Sequence, residues 1–303
     1  MADLLTSFAG VFFKNPVVAA SGTYGFGEDY SDLYAPDILG GISCKGTTLY
    51  ARDGNPPPRI TETPSGMLNS VGLQNPGTDH FIDTDLQKLR KHDVVVIANV
   101  AGSSADDYCA AAGKISEAGA DIIELNISCP NVKCGGMAFG TDPNTVTEIT
   151  KRVKNVCDVP VMVKLSPNVT SIADIAKAAE QGGADALSLI NTITGMQIDI
   201  YSRRPVLKNN TGGLSGPAVK PVAVRMVHEV YEAVDIPIMG MGGITVWQDA
   251  VEMMLAGASA VQVGAANFID PYACPKIIAG LDRFLDENNI KRASDIVGKA
   301  EMW

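Results

Sequence analysis

The chain has 303 residues, of which 46% are hydrophobic and 19% charged, a globular composition that excludes a disordered protein and suffices for a barrel-sized core. Its formal charge of −10 comes from 34 acidic and 24 basic residues, so we expect no nucleic-acid partner. The apolar stretch at residues 4–13 is too short to cross a bilayer and lacks a basic lead-in, which predicts a soluble, cytoplasmic protein without a membrane partner.

Eight apolar runs rich in β-branched residues recur along the chain, and most are followed by a segment with helical periodicity. The runs cover residues 17–21, 41–47, 94–101, 122–129, 159–166, 186–192, 237–243 and 260–266. Eight such units without a low-complexity linker favour an α/β fold, a (β/α)8 TIM barrel, over an open doubly wound sheet. We expect residues 1–303 to form this single domain, with long active-site loops.

The second and third runs are separated by an unusually long gap. Residues 50–77 contain the motifs NPPP, PSG and NPG, which predict a long irregular loop rather than a helix. Long loops inside compact domains are usually functional, so we expect this segment to contribute to a site.

The fourth run ends at Cys129, where a buried strand gives way to a loop containing glycine. Its residues alternate between a polar inner face and an apolar outer face: Glu124, Asn126 and Ser128 inside, and Ile123, Leu125 and Ile127 outside. Polar inward side chains at the carboxyl end of a barrel strand usually belong to a site, so Cys129 is a candidate reactive group. The alternative is an inert buried thiol.

Two helix starts are marked by capping residues. Asp142 precedes Pro143 and offers an N-cap followed by a proline at the first helical position. Ser171, followed three residues later by Asp174, resembles a capping box.

Polar residues at the strand ends form a predicted ring around the barrel mouth: Ser21, Lys45, Asn99, Asn126, Lys164, and Asn191 or Thr192. Both lysines fall on the inner face of their strands by alternation. Buried lysines are seldom unpaired, and no inward carboxylate lies near either lysine in sequence, so the compensating charge is expected from a ligand. The alternative is that both side chains extend to solvent at the rim.

The last two strands end in glycine, at Gly242 and Gly243 and again at Gly264. Barrels commonly hold a phosphate at this corner with backbone N–H groups, so these residues predict a phosphate site. The alternative is that the glycines only form tight turns. A dinucleotide fingerprint G-x-G-x-x-G with a later acid is absent, which argues against an NAD site in this chain.

Six cysteines are scattered without paired spacing, which predicts reduced thiols. They are residues 44, 109, 129, 134, 157 and 274. The pair at 129 and 134 supplies too few ligands for zinc or an iron–sulfur cluster, so no metal is expected.

Ten short motifs are spread across most of the chain, in the same order in which one known enzyme family contains them. They are ASG (20–22), CKGTT (44–48), NSVGLQNPG (69–77), NVAG (99–102), NISCPN (126–131), VKLSPN (163–168), NT (191–192), GLSG (213–216), GMGG (240–243) and VG (263–264). With these motifs the chain resembles class 1 dihydroorotate dehydrogenases. The segment from Asn131 to FGTDP (139–143) resembles the class 1B catalytic subunit most closely. Cys134 departs from the family pattern, without affecting any catalytic position.

The resemblance implies that FMN binds in the barrel mouth. Its contacts would be Ser21, Lys45, Gly46, Asn99, Asn126, Lys164, Ile190, Gly216, Gly242, Gly243, Gly264 and Ala265. Dihydroorotate or orotate would contact Lys45, Asn69, Ser70, Val71, Gly72, Leu73, Asn126, Asn191 and Thr192. Cys129 would be the general base, and Lys164 would stabilise negative charge on the flavin.

The class 1B resemblance also implies a partner. Electrons would pass to NAD through a second subunit carrying FAD and a 2Fe-2S cluster, with a homodimer of this chain inside a heterotetramer. Three alternatives remain: a class 1A dehydrogenase using fumarate, a flavoenzyme like dihydropyrimidine dehydrogenase, and a non-catalytic barrel that binds a phosphorylated ligand.

Overall fold

Eight parallel strands close into a barrel in which each strand pairs with the next one along the chain. The computed structural model describes residues 2–127 and 139–303. The barrel strands are β1 Val17–Ala19, β2 Gly41–Ser43, β3 Val95–Val100, β4 Ile122–Asn126, β5 Val161–Lys164, β6 Ala186–Leu189, β7 Ile238–Met241 and β8 Ala260–Val263. The predicted TIM barrel is confirmed, whereas the single domain of residues 1–303 stays a prediction.

Helices lie between and after the strands. The α-helices are Thr78–His80, Gln87–Leu89, Ala105–Glu117, Pro143–Lys154, Ile172–Gln181, Lys220–Tyr231, Trp247–Leu255, Ala266–Ile269 and Ala273–Glu287, with a π-helix at Phe81–Leu86. Short 3-10 helices occur at Pro36–Ile38, Phe139–Thr141, Pro217–Val219 and Ala293–Ile296. No helix in the described ranges is long and apolar enough to cross a membrane.

Both predicted N-caps are confirmed. The Asp142 carboxylate accepts a hydrogen bond from Thr145 N at 2.9 Å, and Ser171 Oγ accepts one from Asp174 N at 3.3 Å. Each bond satisfies a backbone donor that the first helical turn leaves without a partner, which fixes where the two helices begin.

Side chains of the barrel strands divide into two cores because successive residues point to opposite faces. Ile123, Leu125 and Val163 belong to the large outer cluster that packs under the helices. Ile122 and Met162 belong to a second cluster, inside the barrel. The predicted inner and outer faces of β4 and β5 are therefore confirmed.

The amino end of the barrel is closed by a hairpin of the strands Thr6–Phe8 and Val11–Phe13. Phe8 and Phe13 meet edge to face at 6.0 Å between ring centroids and join the inner cluster. This end is thus filled by apolar side chains, and polar inward positions occur toward the carboxyl end.

A second sheet lies outside the barrel. Its antiparallel strands, in spatial order, are Ile193–Gly195, Gly212–Ser215, Gly66–Asn69 and Ile60–Thr63, and a separate two-stranded ribbon pairs Ile198–Asp199 with Arg204–Pro205. The prediction that residues 50–77 form an irregular loop was wrong, because they contain a hairpin. Its second strand is held by pairing with Gly212–Ser215, which is distant in sequence.

Candidate active site

A layer of polar side chains crosses the barrel interior, with the fully buried Glu124 at its centre. Glu124 Oε2 accepts hydrogen bonds from Ser43 Oγ at 2.7 Å and Asn99 Nδ2 at 2.5 Å. Glu124 Oε1 accepts from Ser188 Oγ and Gln262 Nε2, each at 2.8 Å. The four donors come from β2, β3, β6 and β8, so one carboxylate joins strands around the whole barrel. Two donors on each oxygen satisfy this buried anion.

Lys164 lies beside this carboxylate at the end of β5. Its Nζ is 4.0 Å from Glu124 Oε2, and its side chain is 7% exposed. The prediction that a ligand must supply the whole compensating charge was therefore wrong for Lys164. Glu124 is distant from Lys164 in sequence, but their strands pair, with Asn126 opposite Lys164 and Glu124 opposite Met162.

The pKa of Glu124 reflects opposing effects. Burial raises it, but the Lys164 ammonium and the hydrogen bonds from Ser43, Asn99 and Ser188 together hold the pKa below its ordinary value. The carboxylate is thus ionised at neutral pH, and it forms a buried ion pair with the lysine. The separation of 4.0 Å exceeds hydrogen-bond length, so the ammonium can still donate to another acceptor.

Asn99 and Asn126 form a chain of amides above Glu124. Asn99 donates from Nδ2 to Glu124, and Asn99 Oδ1 accepts from Asn126 Nδ2 at 3.2 Å. Tyr108 Oη, from the helix Ala105–Glu117, donates to the backbone oxygen of Asn126 at 2.9 Å. Both predicted asparagines are thereby held at the carboxyl end of their strands.

Lys45 lies beyond β2, which ends at Ser43, so the predicted strand was too long. Lys45 N donates to Gly25 O at 2.8 Å, and a Cβ placed on Gly22 would lie 4.0 Å from Lys45 Nζ. The side chain is therefore near the turn that follows β1 and contains the predicted residue Ser21. Lys45 is partly exposed, in contrast to the buried Lys164.

Gly46 brings the second strand end close to the loop at residues 69–73. A Cβ on Gly46 would lie 2.9 Å from Asn99 Oδ1 and 3.3 Å from Leu73 Cδ2. Gly46 thus packs between a predicted flavin residue, Asn99, and a predicted substrate residue, Leu73. A larger residue at position 46 would push these two groups apart.

The loop at residues 69–73 is shaped by backbone hydrogen bonds. Ser70 N donates to Arg59 O at 2.7 Å, and Asn55 N donates to Val71 O at 2.9 Å. Gly72 and Leu73 both have positive φ, +77° and +56°. Two such residues in succession turn the chain sharply.

The second sheet brings the predicted substrate residues of this loop toward those after β6. Asn69 pairs with Gly213 in the sheet, and its Nδ2 donates to Gly213 O at 3.4 Å. A Cβ on Gly213 would overlap Thr192 Oγ1 at 1.9 Å, so Thr192 packs directly on that glycine. Asn191 Oδ1 accepts from Thr192 N at 2.7 Å, which fixes its orientation. Asn69, Asn191 and Thr192 are therefore neighbours through Gly213.

The glycines after β7 form a tight turn. Gly242 and Gly243 have φ of +124° and +75°, and a Cβ on Gly243 would lie 2.8 Å from Lys220 N. Ile190, which follows β6, is buried, and its Cγ1 would lie 3.2 Å from a Cβ on Gly242. The turn thus packs closely against Ile190 and Lys220 and has no room for a side chain.

Two further glycines border the same mouth. A Cβ on Gly264 would meet only Ala20 Cβ at 3.7 Å and a methyl group at 4.0 Å, so one side of the backbone before Ala265 is open. Gly216 has a φ of +104° and lies against Gly66. Glycines at the ends of β7 and β8 are typical of the corner at which barrels bind a phosphate group.

Cys129 lies outside the described residues. Among the described thiols, burial raises the pKa of Cys157 and of Cys274 to about 12, and it raises that of Cys44 further. These buried thiols are poor bases near neutral pH. Within the described ranges, no group of three or more histidine, cysteine or acidic residues is placed to hold a metal.

The sequence analysis did not foresee Glu124 as a charge partner or its donors Ser43, Ser188 and Gln262. Strand alternation could have placed each of them on the inner face of the barrel. Nothing local indicated that the four residues meet, since they lie on β2, β4, β6 and β8.

Comparison with known proteins agrees with this geometry. Residues 3–285 match the family Dihydroorotate dehydrogenase. The chain is 54% identical over 301 residues to the "Dihydroorotate dehydrogenase B (NAD(+)), catalytic subunit" of Anoxybacillus flavithermus, covering 99% of this chain and 96% of that protein. It is equally identical to the protein of that name from Bacillus cereus strain G9842, covering 97% of that protein.

A solved structure shows the same fold. Dihydroorotate dehydrogenase from Eimeria tenella in complex with ferulenol superposes with a TM-score of 0.84 at 24% identity, covering 98% of this chain and 88% of that one. The sequence matches confirm the class 1B resemblance, and the chain belongs to the dihydroorotate dehydrogenase family.

Proposed function

We propose that this chain is the catalytic subunit of a class 1B dihydroorotate dehydrogenase, which oxidises dihydroorotate to orotate in pyrimidine biosynthesis. The observation that carries the proposal is the buried Lys164 ammonium beside Glu124, with Asn99 and Asn126 above, at the carboxyl end of the barrel. Active sites of TIM barrels lie at that end. The names of the relatives support the substrate and the NAD linkage.

FMN is the cofactor that we propose for the barrel mouth, where it supplies the hydride acceptor. Gly242, Gly243, Gly264 and Ala265 would hold its phosphate through backbone N–H groups. Three of these residues are glycines, and the Cβ position of Gly264 is open. Lys164 would face the ring system, with its ammonium retained inside the barrel by Glu124. The other proposed contacts are Ser21, Lys45, Gly46, Asn99, Asn126, Ile190 and Gly216.

Substrate binding is proposed for the residues that the second sheet and the strand ends bring together. Lys45 would neutralise the carboxylate of dihydroorotate, and the amides of Asn126 and Asn191 would orient the ring. Thr192 and the loop residues Asn69, Ser70, Val71, Gly72 and Leu73 complete the set.

Cys129 is the proposed general base. A carbon acid beside a carbonyl holds its proton firmly, so a base must be held against C5 while the C6 hydrogen leaves as hydride. Cys129 directly follows the strand that contains Glu124 and Asn126, at the carboxyl end of the barrel. Its thiolate would remove the C5 proton, and this role rests on the family resemblance.

A partner subunit is proposed because the relatives are named catalytic subunits of an NAD-dependent enzyme. We propose that this partner carries FAD and a 2Fe-2S cluster and that a homodimer of this chain forms the centre of a heterotetramer. The sequence of this chain contains no dinucleotide fingerprint of its own.

The proposal is tested by identifying the cofactor. The full-length chain is purified, or reconstituted with excess flavin, and the flavin released on denaturation is identified by mass spectrometry. We expect one FMN per chain. A chain that takes up FAD instead, or no flavin after reconstitution, would contradict the proposed cofactor site.

A further inference from the structure

We propose that Glu124 is a positioning residue that fixes Lys164 and sets the polarity of the Asn99–Asn126 amide pair without touching substrate or cofactor. The catalytic role of Glu124 rests on the proposed function. Its contacts with Lys164 and Asn99 do not, because the structure places these side chains directly. The relevant distances are 4.0 Å from Glu124 Oε2 to Lys164 Nζ and 2.5 Å to Asn99 Nδ2.

Glu124 lies one layer below the mouth. It pairs in register with Met162, whose side chain belongs to the apolar core inside the barrel, while Asn126 and Lys164 are two residues further along their strands. Glu124 is fully buried, in contrast to the 9% exposure of Asn126. A group bound in the mouth would therefore meet Asn126 and Lys164 before it could reach the carboxylate.

The carboxylate attracts Lys164 without using up its donors. Hydrogen bonds from Ser43, Asn99, Ser188 and Gln262 already occupy the two oxygens. Lys164 is held by charge at 4.0 Å, and the ammonium can donate to an acceptor above it. A site built in this way holds a cation in place and leaves it available to a developing negative charge.

The same carboxylate dictates the direction of the amide chain. An ionised carboxylate only accepts hydrogen bonds, so Asn99 must turn its NH2 group toward Glu124. The Asn99 carbonyl oxygen then faces Asn126 and accepts from its NH2 group. Glutamine at position 124 could donate as well as accept, and the direction of the chain would no longer be imposed.

A double-mutant cycle tests this role. The variants are E124Q, K164M and the double variant E124Q/K164M, each made in the full-length chain. FMN dissociation constants and midpoint potentials of bound FMN are measured, together with thermal unfolding of the flavin-free proteins. The control is D185N, because Asp185 also pairs with a lysine, Lys154, but immediately precedes β6 and so lies at the amino end of the barrel.

We expect E124Q to weaken FMN binding about tenfold when Lys164 is present, since contacting residues show couplings of that size. In the K164M background the same change should weaken binding only about threefold, because the part that acts through Lys164 is removed and the effect on the Asn99–Asn126 amide pair is left. E124Q should also shift the FMN potential, whereas D185N should leave both the potential and the affinity unchanged. A purely structural role for Glu124 would not produce a potential shift that becomes smaller in K164M.

Equal losses of FMN affinity from E124Q in both backgrounds, or no loss in either, would overturn the proposal. If E124Q does not fold but E124Q/K164M does, the result supports the ion pair, because the double variant has no unbalanced buried charge. If neither variant folds, the proposal is overturned. If the native chain binds no FMN, the proposed function is refuted but the link between Glu124 and Lys164 is still tested. Thermal unfolding of the flavin-free single and double variants measures that coupling.

Discussion

Lys164 Nζ and Glu124 Oε2 lie 4.0 Å apart inside the barrel, on neighbouring strands, and both side chains are almost fully shielded from solvent. A buried ion pair carries a desolvation cost that only good geometry and further hydrogen bonds offset. Glu124 receives four such bonds. The pair therefore places a positive charge at the mouth of the barrel, while the net charge of the two buried side chains stays zero.

Glu124 is expected to make the fold sensitive to acid. Its folded-state pKa is lowered below the ordinary 4.5, so its contribution to stability is fully present above pH 4.5 and is lost as pH falls through the folded pKa. At neutral pH, E124Q should lower the free energy of unfolding by about 3–5 kcal/mol, the typical cost of breaking a buried pair.

Urea unfolding of the native chain and of E124Q, repeated from neutral to acidic pH, checks this expectation. The difference in unfolding free energy should be constant above pH 4.5 and should shrink below it. A difference that grows in acid would show that the carboxyl group is protonated in the native protein.

Gly243 is expected to be needed for the turn after β7. G243A should destabilise the chain by about 1–2 kcal/mol from its positive φ and by more from crowding, because the new Cβ would lie 2.8 Å from Lys220 N. It should also weaken FMN binding by displacing the turn.

The matched control for G243A is G10A. Gly10 has a similar φ of +81°, but a Cβ there would meet nothing within 4 Å. Both variants are compared by thermal unfolding and by FMN titration. G10A reports the effect of backbone strain alone, and G243A reports strain together with crowding. If G10A impaired FMN binding as strongly as G243A, the loss could not be assigned to the phosphate turn.

Cys129→Ala is expected to keep FMN and orotate binding but to slow flavin reduction by dihydroorotate by several orders of magnitude, because the proposed base is lost. A free thiol has a pKa of about 8.5, so the native rate of reduction should rise with pH toward that value. Stopped-flow absorbance measures both effects. C134A is the matched cysteine control, and rapid reduction in C129A would remove the thiol from the mechanism.

The isolated chain is expected to reduce NAD poorly even when it is saturated with FMN, because electrons would have to leave through a partner. Anaerobic NADH formation with dihydroorotate is measured before and after addition of a flavin and iron–sulfur partner fraction from the native cell. Fast NADH formation by the chain alone would refute the need for the partner.

Much of the fold could be predicted from local pattern. The eight barrel strands occur within the predicted runs, although they end earlier, as β6 does at Leu189 rather than at Thr192. Alternation placed Glu124, Asn126 and Lys164 on the inner face correctly, because a strand repeats every two residues. The local sequence pattern could not predict which elements pair when they are distant in sequence.

Two errors share that cause. The partner of Lys164 was missed because Glu124 reaches it across paired strands, not along the chain. The hairpin of Ile60–Thr63 and Gly66–Asn69 was missed because proline and glycine dominate the segment locally. The strand Gly66–Asn69 also pairs with Gly212–Ser215, and the sequence of residues 50–77 alone does not predict this contact.

We propose above that this barrel holds FMN and dihydroorotate together so that the substrate reduces the flavin. Anaerobic titration of the purified full-length chain with dihydroorotate tests it most directly. We predict that the visible absorbance of the bound flavin bleaches in proportion to added dihydroorotate and that orotate forms in equal amount. Bound FMN that stays oxidised in excess dihydroorotate would contradict the account.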